Sequence, residues 1–273
     1  MKYFDTHCHL FDEAFDEDRA GVLERMAQAG VQGANIVHDP GEPKDTLALG
    51  KEIAWLAPWL QTTYTLGVHP HNASMYTDEI EAQIRAQFRG ESIFFPCKPV
   101  LWGEIGLDYH YDLSPREVQR EVFARQLDAA YETGVPVQLH IREAQQDCAD
   151  ILASAARSGR LPLGIMHCFT GQWEEAKYCL DLGLYISFSG ALTFKKSEYL
   201  REVCQKTPSE RILIETDCPY MAPVPLRGRR NEPSFVPYVA QTVAKVREMD
   251  MESTAQMLWE NTRRLLQIKE RDL

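Results

Sequence analysis

The 273-residue chain lacks several features that mark common classes of protein. No apolar run approaches the ~18 residues that a bilayer-spanning helix requires, so we expect no membrane partner. The seven cysteines are odd in number and form no C-x-x-C pair, which argues against a disulfide framework or a zinc knuckle and favours a reducing cytoplasm. Asp5, His7 and His9 interrupt any apolar segment of a secretory signal.

The chain is also short of positive charge. Its formal net charge is −11 and its isoelectric point is about 5.2, which disfavours a broad basic surface for duplex DNA. A small electropositive pocket remains compatible with this charge if bound metal ions supply it. Internal repeats, low-complexity segments and linkers are absent as well, so we predict a single domain over residues 1–273.

Short apolar runs typical of strands alternate with segments of helical spacing throughout the chain. Such runs lie in the first few residues and at 33–38, 61–69, 99–105, 136–140, 163–167, 184–189 and 211–217. Eight units of this kind in ~250 residues match the count and size of a closed (β/α)8 TIM barrel. The competing fold is a doubly wound open sheet, but no glycine-rich phosphate turn follows the first run. We therefore predict the α/β class with a (β/α)8 barrel.

A His-x-His pair, His7 and His9, lies at the end of the first predicted strand. Side chains two apart on a strand point the same way, so both imidazoles project together. Two neutral imidazoles converging in this manner are a natural pair of metal ligands. The alternative is one surface histidine beside one hydrogen-bonded core histidine.

Other predicted strand ends carry residue types that bind metal ions. They are His38, His69, His71, Glu104, His140, His167, Glu215 and Asp217, with Ser187 or Ser189 at the seventh strand. Any one of these histidines alone is more often a structural residue. In a (β/α)8 barrel, however, the carboxyl ends of all strands meet at the rim that holds the active site. The combined set therefore predicts a metal site there.

The number of ligands predicts two divalent ions, because six are too many for one tetrahedral ion with an open position. We expect Glu104 to bridge ions ~3.5–4 Å apart, as in two-metal hydrolases. The predicted ligands are His7, His9 and Glu104 for one ion and Glu104, His140 and His167 for the other, with Asp217 on the first ion. Asp217 would also take a proton from the attacking water. Glu215 either orients a ligand histidine or forms a salt bridge within the barrel.

Several motifs together resemble those of one known family. They are Asp5-Thr-His-Cys-His-Leu10, Gly67-Val-His-Pro-His71, Gly103-Glu-Ile-Gly-Leu-Asp108, Leu139-His-Ile-Arg142, His167-Cys-Phe-Thr-Gly171, Glu215-Thr-Asp-Cys-Pro-Tyr220, the loop 222–233 and Asn261. The chain resembles the TatD family of metal-dependent deoxyribonucleases, within the amidohydrolase-like barrels. The resemblance implies a (β/α)8 barrel, one or two divalent ions (Mg²⁺, Mn²⁺ or Zn²⁺) on the same six ligands, and cleavage of DNA, often of single strands from the 3′ end.

Departures from the family pattern are confined to the expected rim. Phe11 stands where the family often has aspartate, Ile141 stands where serine is usual, and residues 92–98 lengthen the approach to the fourth strand. These changes leave the six ligands intact. They therefore affect the prediction of the substrate more than the prediction of hydrolysis.

Candidate substrate contacts follow from charge. Arg142 shares the facing of His140 and is suited to bidentate phosphate binding, with a surface ion pair as the alternative. Arg227, Arg229, Arg230 and Asn231 lie in one predicted rim loop, which forms either a local positive patch or a loop held by ion pairs.

Further substrate contacts are suggested by ring side chains. His69 and His71 are expected to contact the scissile phosphate or the leaving group, or else to hydrogen-bond to the metal ligands and orient them. Phe11, Tyr109 and Phe169 are aromatic candidates for base stacking, with core packing as the more ordinary role.

Three functions compete. The first is a metal-dependent exodeoxyribonuclease acting from the 3′ end of single-stranded DNA, expected to be a monomer. The second is a hydrolase of a small amide, ester or phosphoester that uses the same binuclear site, which the net charge of −11 favours. The third is a scaffold that has lost catalysis, which predicts broken ligands, and none is broken.

Overall fold

The computed structural model describes residues 1–42, 44–92 and 95–268, and it contains all eight predicted strands. The strands are β1 (Tyr3–Cys8), β2 (Val31–His38), β3 (Gln61–Leu66), β4 (Leu101–Asp108), β5 (Val137–Arg142), β6 (Gly164–Met166), β7 (Tyr185–Phe188) and β8 (Ile212–Ile214). They form one sheet in which the spatial order is the order of the chain, from β1 to β8. This order, with parallel pairing, is the arrangement of a (β/α)8 barrel, and the predicted fold is confirmed.

Helices follow the strands as the alternating pattern predicted. They are α1 (Arg19–Gln28), α2 (Thr46–Leu56), α3 (Asp78–Arg89), α4 (Arg116–Thr133), α5 (Gln145–Arg157), α6 (Trp173–Asp181), α7 (Glu198–Lys206), α8 (Val236–Val246) and α9 (Met251–Leu266). Short 3₁₀ turns occupy Glu13–Phe15, Pro70–Met75, Gly190–Thr193, Ser209–Arg211 and Pro233–Phe235. Among the residues that the structure describes, no helix combines the length and apolarity needed to cross a bilayer.

Two compact units can be distinguished within the described residues. The first unit comprises Met1–Ile36, Leu49–Thr63 and His167–Leu273, and the second unit comprises Val37–Ala48 and Tyr64–Met166. In the first unit β7 pairs with β8, and the backbone of Cys8 in β1 forms an isolated parallel β-bridge with that of Cys218, just after β8. In the second unit β4 pairs with β5, and β5 with β6. The single-domain organisation stays a prediction.

Strand β4 is longer than the sequence pattern predicted. The sequence pattern ended the fourth predicted strand at residue 105, but β4 continues to Asp108, and Gly106 and Asp108 pair with His140 and Arg142 of β5. Gly106 permits this extension because its φ is +147°. A Cβ atom there would lie 2.0 Å from the carbonyl oxygen of His140. The glycine thus brings β4 close to the backbone of a predicted metal ligand.

Ser114 and Glu117 have the sequence spacing that predicts a capping box, but these residues form none at the start of α4. The helix is preceded by Pro115, and no side chain caps its first turn. The hydroxyl of Ser114 instead donates to the carbonyl of His71 (2.8 Å) and accepts from the amide of Ser74 (3.1 Å). The Ser114 hydroxyl therefore stabilises the turn that carries His71 and does not cap the helix.

Replacement of Gly106 by alanine tests this close approach. We expect Gly106→Ala to lower the free energy of unfolding by about 2–4 kcal/mol, because the new methyl group meets the His140 carbonyl and φ is unfavourable. Urea denaturation measures the change. Gly21→Ala is the control, because it lies in α1 with only the flexible end of Arg25 nearby and is expected to be neutral or slightly stabilising. Equal stability of Gly106→Ala and the wild type would contradict this account.

Candidate metal centre

The first unit brings together His7, His9 and Asp217. The two Nε2 atoms of His7 and His9 lie 3.1 Å apart, and Oδ1 of Asp217 lies 3.6 Å from each of them. The histidines come from β1, and the amide of Asp217 donates to the carbonyl of His7 (3.0 Å), which ties the end of β8 to β1. Three ligand-type atoms therefore converge on one point.

The spacing of these three atoms fits a metal ion. Ligand atoms at bond lengths of about 2.0–2.1 Å on a tetrahedral ion lie roughly 3.3–3.4 Å from one another. The triangle formed by His7, His9 and Asp217 has edges of 3.1, 3.6 and 3.6 Å. Asp217 reaches this place with a φ of +58°, a conformation that non-glycine residues rarely adopt. Strain of this kind is common where a side chain must be aimed at a functional site.

Asp5 fixes the backbone around this triangle. Its carboxylate accepts from the amides of Thr216 (2.9 Å) and His7 (3.3 Å), and it also accepts from the hydroxyl of Thr216. Burial raises the pKa of Asp5 to about 8 despite these hydrogen bonds. The first motif residue of the resemblance therefore holds β1 and the segment after β8 in register.

His167 lies beside His7 in the same unit, with the two rings stacked at a centroid distance of 4.0 Å. Nδ1 of His167 is 3.2 Å from Oε1 of Glu215, which is completely buried. Glu215 also accepts from the hydroxyl of Ser187 (2.6 Å). The contact between Glu215 and Nδ1 of His167 is the one that the predicted orienting role requires, because it leaves Nε2 of His167 available to bind a metal ion.

The second unit brings together His69, Glu104 and His140. Nδ1 of His140 lies 2.8 Å from Oε1 of Glu104, and Nε2 of His69 lies 3.7 Å from the same oxygen. Glu104 is buried and comes from β4, while His140 comes from β5. The predicted ligands Glu104 and His140 are thus neighbours.

Asp108 is the residue that sequence reasoning missed. Its Oδ2 lies 3.0 Å from Nε2 of both His140 and His71, and its Oδ1 accepts from the amides of His110 and Tyr111 (3.0 Å each). Burial alone would raise the pKa of Asp108, but the hydrogen bonds to His140 and His71 hold it well below its usual range.

The sequence does contain a signal for Asp108. Residues 104, 106 and 108 lie on one face of a strand, so Asp108 shares the facing of Glu104 once β4 is extended. Ending the fourth predicted strand at residue 105 concealed it. When Asp108 accepts a hydrogen bond from Nε2–H of His140, the lone pair lies on Nδ1 beside Glu104, which is the tautomer a metal ligand needs there.

His69 fits a donor role better than a ligand role. Its Nδ1 accepts from the amide of His71 (3.2 Å), so in the neutral ring the proton sits on Nε2. Burial lowers the pKa of His69 well below its usual value, which keeps the ring neutral. An Nε2–H next to Glu104 is suited to donate to a phosphate oxygen, as predicted for a substrate contact.

His38 stands apart from these groups. It ends β2, is 6% exposed, and meets the ring of Phe95 edge-on at 6.0 Å. Among the described residues its Nδ1 has no hydrogen-bond partner. Burial lowers the pKa of His38 to about 4, so it is a neutral core histidine at neutral pH.

The predicted substrate-binding residues differ in their surroundings. Arg142, Arg227 and Arg229 are exposed, and none of them has a carboxylate partner within the described ranges. Asn231 is completely buried, and its amide nitrogen donates to the carbonyls of Thr216 (2.8 Å) and Tyr220 (2.6 Å). The prediction of Asn231 as a substrate contact therefore needs correction, because its side chain holds the loop together.

The other predicted substrate contacts were misplaced in part. Arg230 is paired with Asp18 at 2.8 Å, as the alternative of an ion-paired loop required. Phe11 and Phe169 are 3% and 6% exposed, so neither is free to stack on a base. Exposed aromatic rings among the described residues include Trp55, Tyr111, Tyr131 and Tyr220, at 80%, 55%, 42% and 60%.

Comparisons with known proteins identify the family of the chain. A family model described as TatD related DNase matches residues 4–267. The chain belongs to the TatD-related DNase family. The resemblance seen in the motifs is therefore confirmed, and it covers nearly the whole chain.

Three relatives illustrate the likeness. The chain is 39% identical over 265 residues to an uncharacterized metal-dependent hydrolase, YabD, of Bacillus subtilis, covering 97% of this chain and 99% of the relative. It is 35% identical over 270 residues to the 3′-5′ ssDNA/RNA exonuclease TatD of Pantoea ananatis, covering 96% and 98%. The crystal structure of YJJV, a TatD homolog from Escherichia coli K12, matches with a TM-score of 0.82 at 28% identity, covering 98% of both chains.

Asp108→Asn tests the role of the shared carboxylate. Asparagine has one acceptor oxygen and cannot accept hydrogen bonds from two imidazoles and two backbone amides. His140 would therefore lose its orientation. We expect the affinity of the metal-free protein for Zn²⁺ to fall about 10- to 100-fold in calorimetric titration. The control is Asp112→Asn, an exposed neighbour paired with Arg116 that contacts no metal-ligand residue within the described structure. Unchanged Zn²⁺ affinity in Asp108→Asn would refute the positioning role.

His38 makes stability depend on pH. Its folded pKa of about 4 lies below the unfolded value of about 6.5, so between these values only the unfolded chain takes up the proton. The wild type should lose up to about 3 kcal/mol of stability relative to His38→Leu as the pH falls from 6.5 to 4. Urea denaturation across this range measures the difference. Parallel curves for His38→Leu and the wild type would exclude the effect.

Proposed function

We propose that the chain is a divalent-metal-dependent hydrolase that removes nucleotides from the 3′ end of single-stranded DNA. The observation that carries this proposal is the triangle of His7, His9 and Asp217, whose ligand atoms lie within 3.6 Å of one another. Family membership supports it, since a relative at 35% identity bears the name 3′-5′ ssDNA/RNA exonuclease.

The residues of each unit would hold one divalent ion, Zn²⁺, Mn²⁺ or Mg²⁺. His7, His9 and Asp217 would hold one ion, and Glu104 and His140 the other. When bound, such ions lower the pKa of water and polarise a phosphoryl group. The bridging role of Glu104 and the ligand role of His167 stay predictions.

Asp217 is the proposed proton acceptor. Burial alone would raise its pKa, but the neighbouring rings of His9, His167 and His7 hold the pKa of Asp217 below its usual value. The carboxylate is therefore ionised at neutral pH and available to accept a proton from water. Its fixed backbone, bonded to the carbonyl of His7, keeps it aimed at the two imidazoles.

The proposed substrate-binding side chains are hydrogen-bond donors. Nε2–H of His69 and the guanidinium of Arg142 would bind phosphate oxygens, with His71 held beside them by Asp108. Arg227 and Arg229 add exposed positive charge, and the guanidinium of Arg227 lies 3.7 Å over the ring of Phe194. Each of these exposed arginines gives its own part of an acidic protein some positive charge that can attract a polyanion.

Hydrolysis of a small amide, ester or phosphoester is the second candidate. The net charge of −11 favours it, because an acidic surface repels a long polyanion more than a small substrate. A scaffold without catalysis is disfavoured, because every residue of the predicted ligand set is present. We further propose a cytoplasmic monomer, and the absence of any disulfide within the described residues fits a reducing compartment.

An end-labelled single-stranded oligonucleotide tests the proposal directly. With Mg²⁺, Mn²⁺ or Zn²⁺ we expect a ladder shortening from the 3′ end, and for Asp217→Asn a rate at least about 100-fold lower, because the proton acceptor and one ligand charge are lost. Asp181→Asn, an exposed residue paired with Lys177, is the matched control and should cleave normally. Intact oligonucleotide with every metal, alongside turnover of small phosphoesters, would favour the second candidate.

A further inference from the structure

Tyr111 combines unusual exposure with a fixed position. Its side chain is 55% exposed, yet its backbone amide is bonded to Asp108 at 3.0 Å. The ring meets His71 at a centroid distance of 5.4 Å and an angle of 90°, and it meets His110 at 4.8 Å and 84°. A large ring is therefore held open to solvent by contacts that leave much of its surface uncovered.

One carboxylate links Tyr111 to the metal-ligand residues. Oδ1 of Asp108 holds the Tyr111 backbone, while Oδ2 of the same group holds the rings of His71 and His140. The position of the tyrosine relative to His140 is thus set before any ligand arrives. Such preorganisation reduces the entropy that a bound ligand must lose.

Arg142 supplies a charge at the same place. Its guanidinium carbon lies 4.8 Å from the centre of the Tyr111 ring, and its side chain is exposed. Within the described ranges it has no carboxylate partner. Since β5 carries His140 and Arg142 two residues apart, the guanidinium faces the same side as the ligand histidine.

A second tyrosine–arginine pair shows what an ordinary surface contact looks like in this chain. Arg160 lies 5.0 Å from the ring of Tyr131 on α4, but it is also paired with Asp128 and Glu132 at 2.8 Å each. Its charge is neutralised by the protein, whereas that of Arg142 is not. An uncompensated guanidinium beside an open ring is suited to a ligand with one flat apolar part and one anionic part.

We propose that Tyr111 and Arg142 form a nucleotide-binding subsite, in which a base of the substrate stacks on Tyr111 and the adjoining phosphate is bound by Arg142. The subsite rests on the proposed function, and it specifies which residues bind the end of the DNA strand. Stacking accepts any base, so the subsite favours an unpaired end over a duplex without selecting sequence. The nucleotide bound there is one of the last two of the strand.

Two oligonucleotides separate stacking from phosphate binding. One ends in two ordinary nucleotides, and the other has abasic residues at these two positions with the same phosphates. Binding to the metal-free protein in EDTA is followed by fluorescence anisotropy, and cleavage with Mn²⁺ is followed by gel. We expect Tyr111→Leu to weaken binding of the ordinary oligonucleotide about tenfold, the usual order for one stacked base, and to leave the abasic one unchanged.

Three further variants complete the design. Tyr111→Phe keeps the ring and should bind the ordinary oligonucleotide as the wild type does, which excludes collapse of the loop as the cause. Arg142→Gln should weaken binding of both oligonucleotides and reduce the dependence of binding on salt. Tyr131→Leu removes the matched surface ring and should change neither.

The outcomes for the subsite and for the enzyme are distinct. Equal effects of Tyr111→Leu on both oligonucleotides, or no effect on either, would overturn the subsite even if the wild type cleaves both. A wild type that cleaves no oligonucleotide with any metal would overturn the proposed function, and the binding comparison in EDTA would still decide the subsite.

Discussion

Buried imidazoles can bind metal ions only if each ring is turned to the correct nitrogen, and in this chain carboxylates set that orientation. Asp108 lies 3.0 Å from Nε2 of His140, and Glu215 lies 3.2 Å from Nδ1 of His167. Each carboxylate is buried and bonded to further donors, so neither is free to rotate away. The strands place both carboxylates, since Asp108 is the last residue of β4 and Glu215 directly follows β8.

In the second unit, Asp108 also connects the predicted ligand His140 to the proposed substrate-binding groups. The same carboxylate that orients His140 holds His71 and the backbone of Tyr111, so ligand geometry and the exposed ring are set together. Gly106 makes this possible by letting β4 approach His140 without a side chain between them. A change in any of these groups is therefore expected to affect more than one function.

The sequence was sufficient to predict the eight strands and the residue types at their ends, because alternation and apolar runs are local signals. It did not show that β4 continues past Gly106, because a glycine after an apolar run often marks the end of a strand. In the structure Gly106 stays within β4 with a φ of +147°. Asp108 was missed for that reason. The buried position of Asn231 was also beyond prediction, because its partners are backbone carbonyls that only the folded loop brings near.

Anomalous diffraction from crystals soaked in Zn²⁺ or Mn²⁺ tests the central claim most directly, namely that these histidines and carboxylates hold metal ions. We predict one anomalous peak in contact with His7, His9 and Asp217 and another in contact with Glu104 and His140. Peaks elsewhere, or none at these residues when the protein is saturated with metal, would contradict the assignment of both clusters.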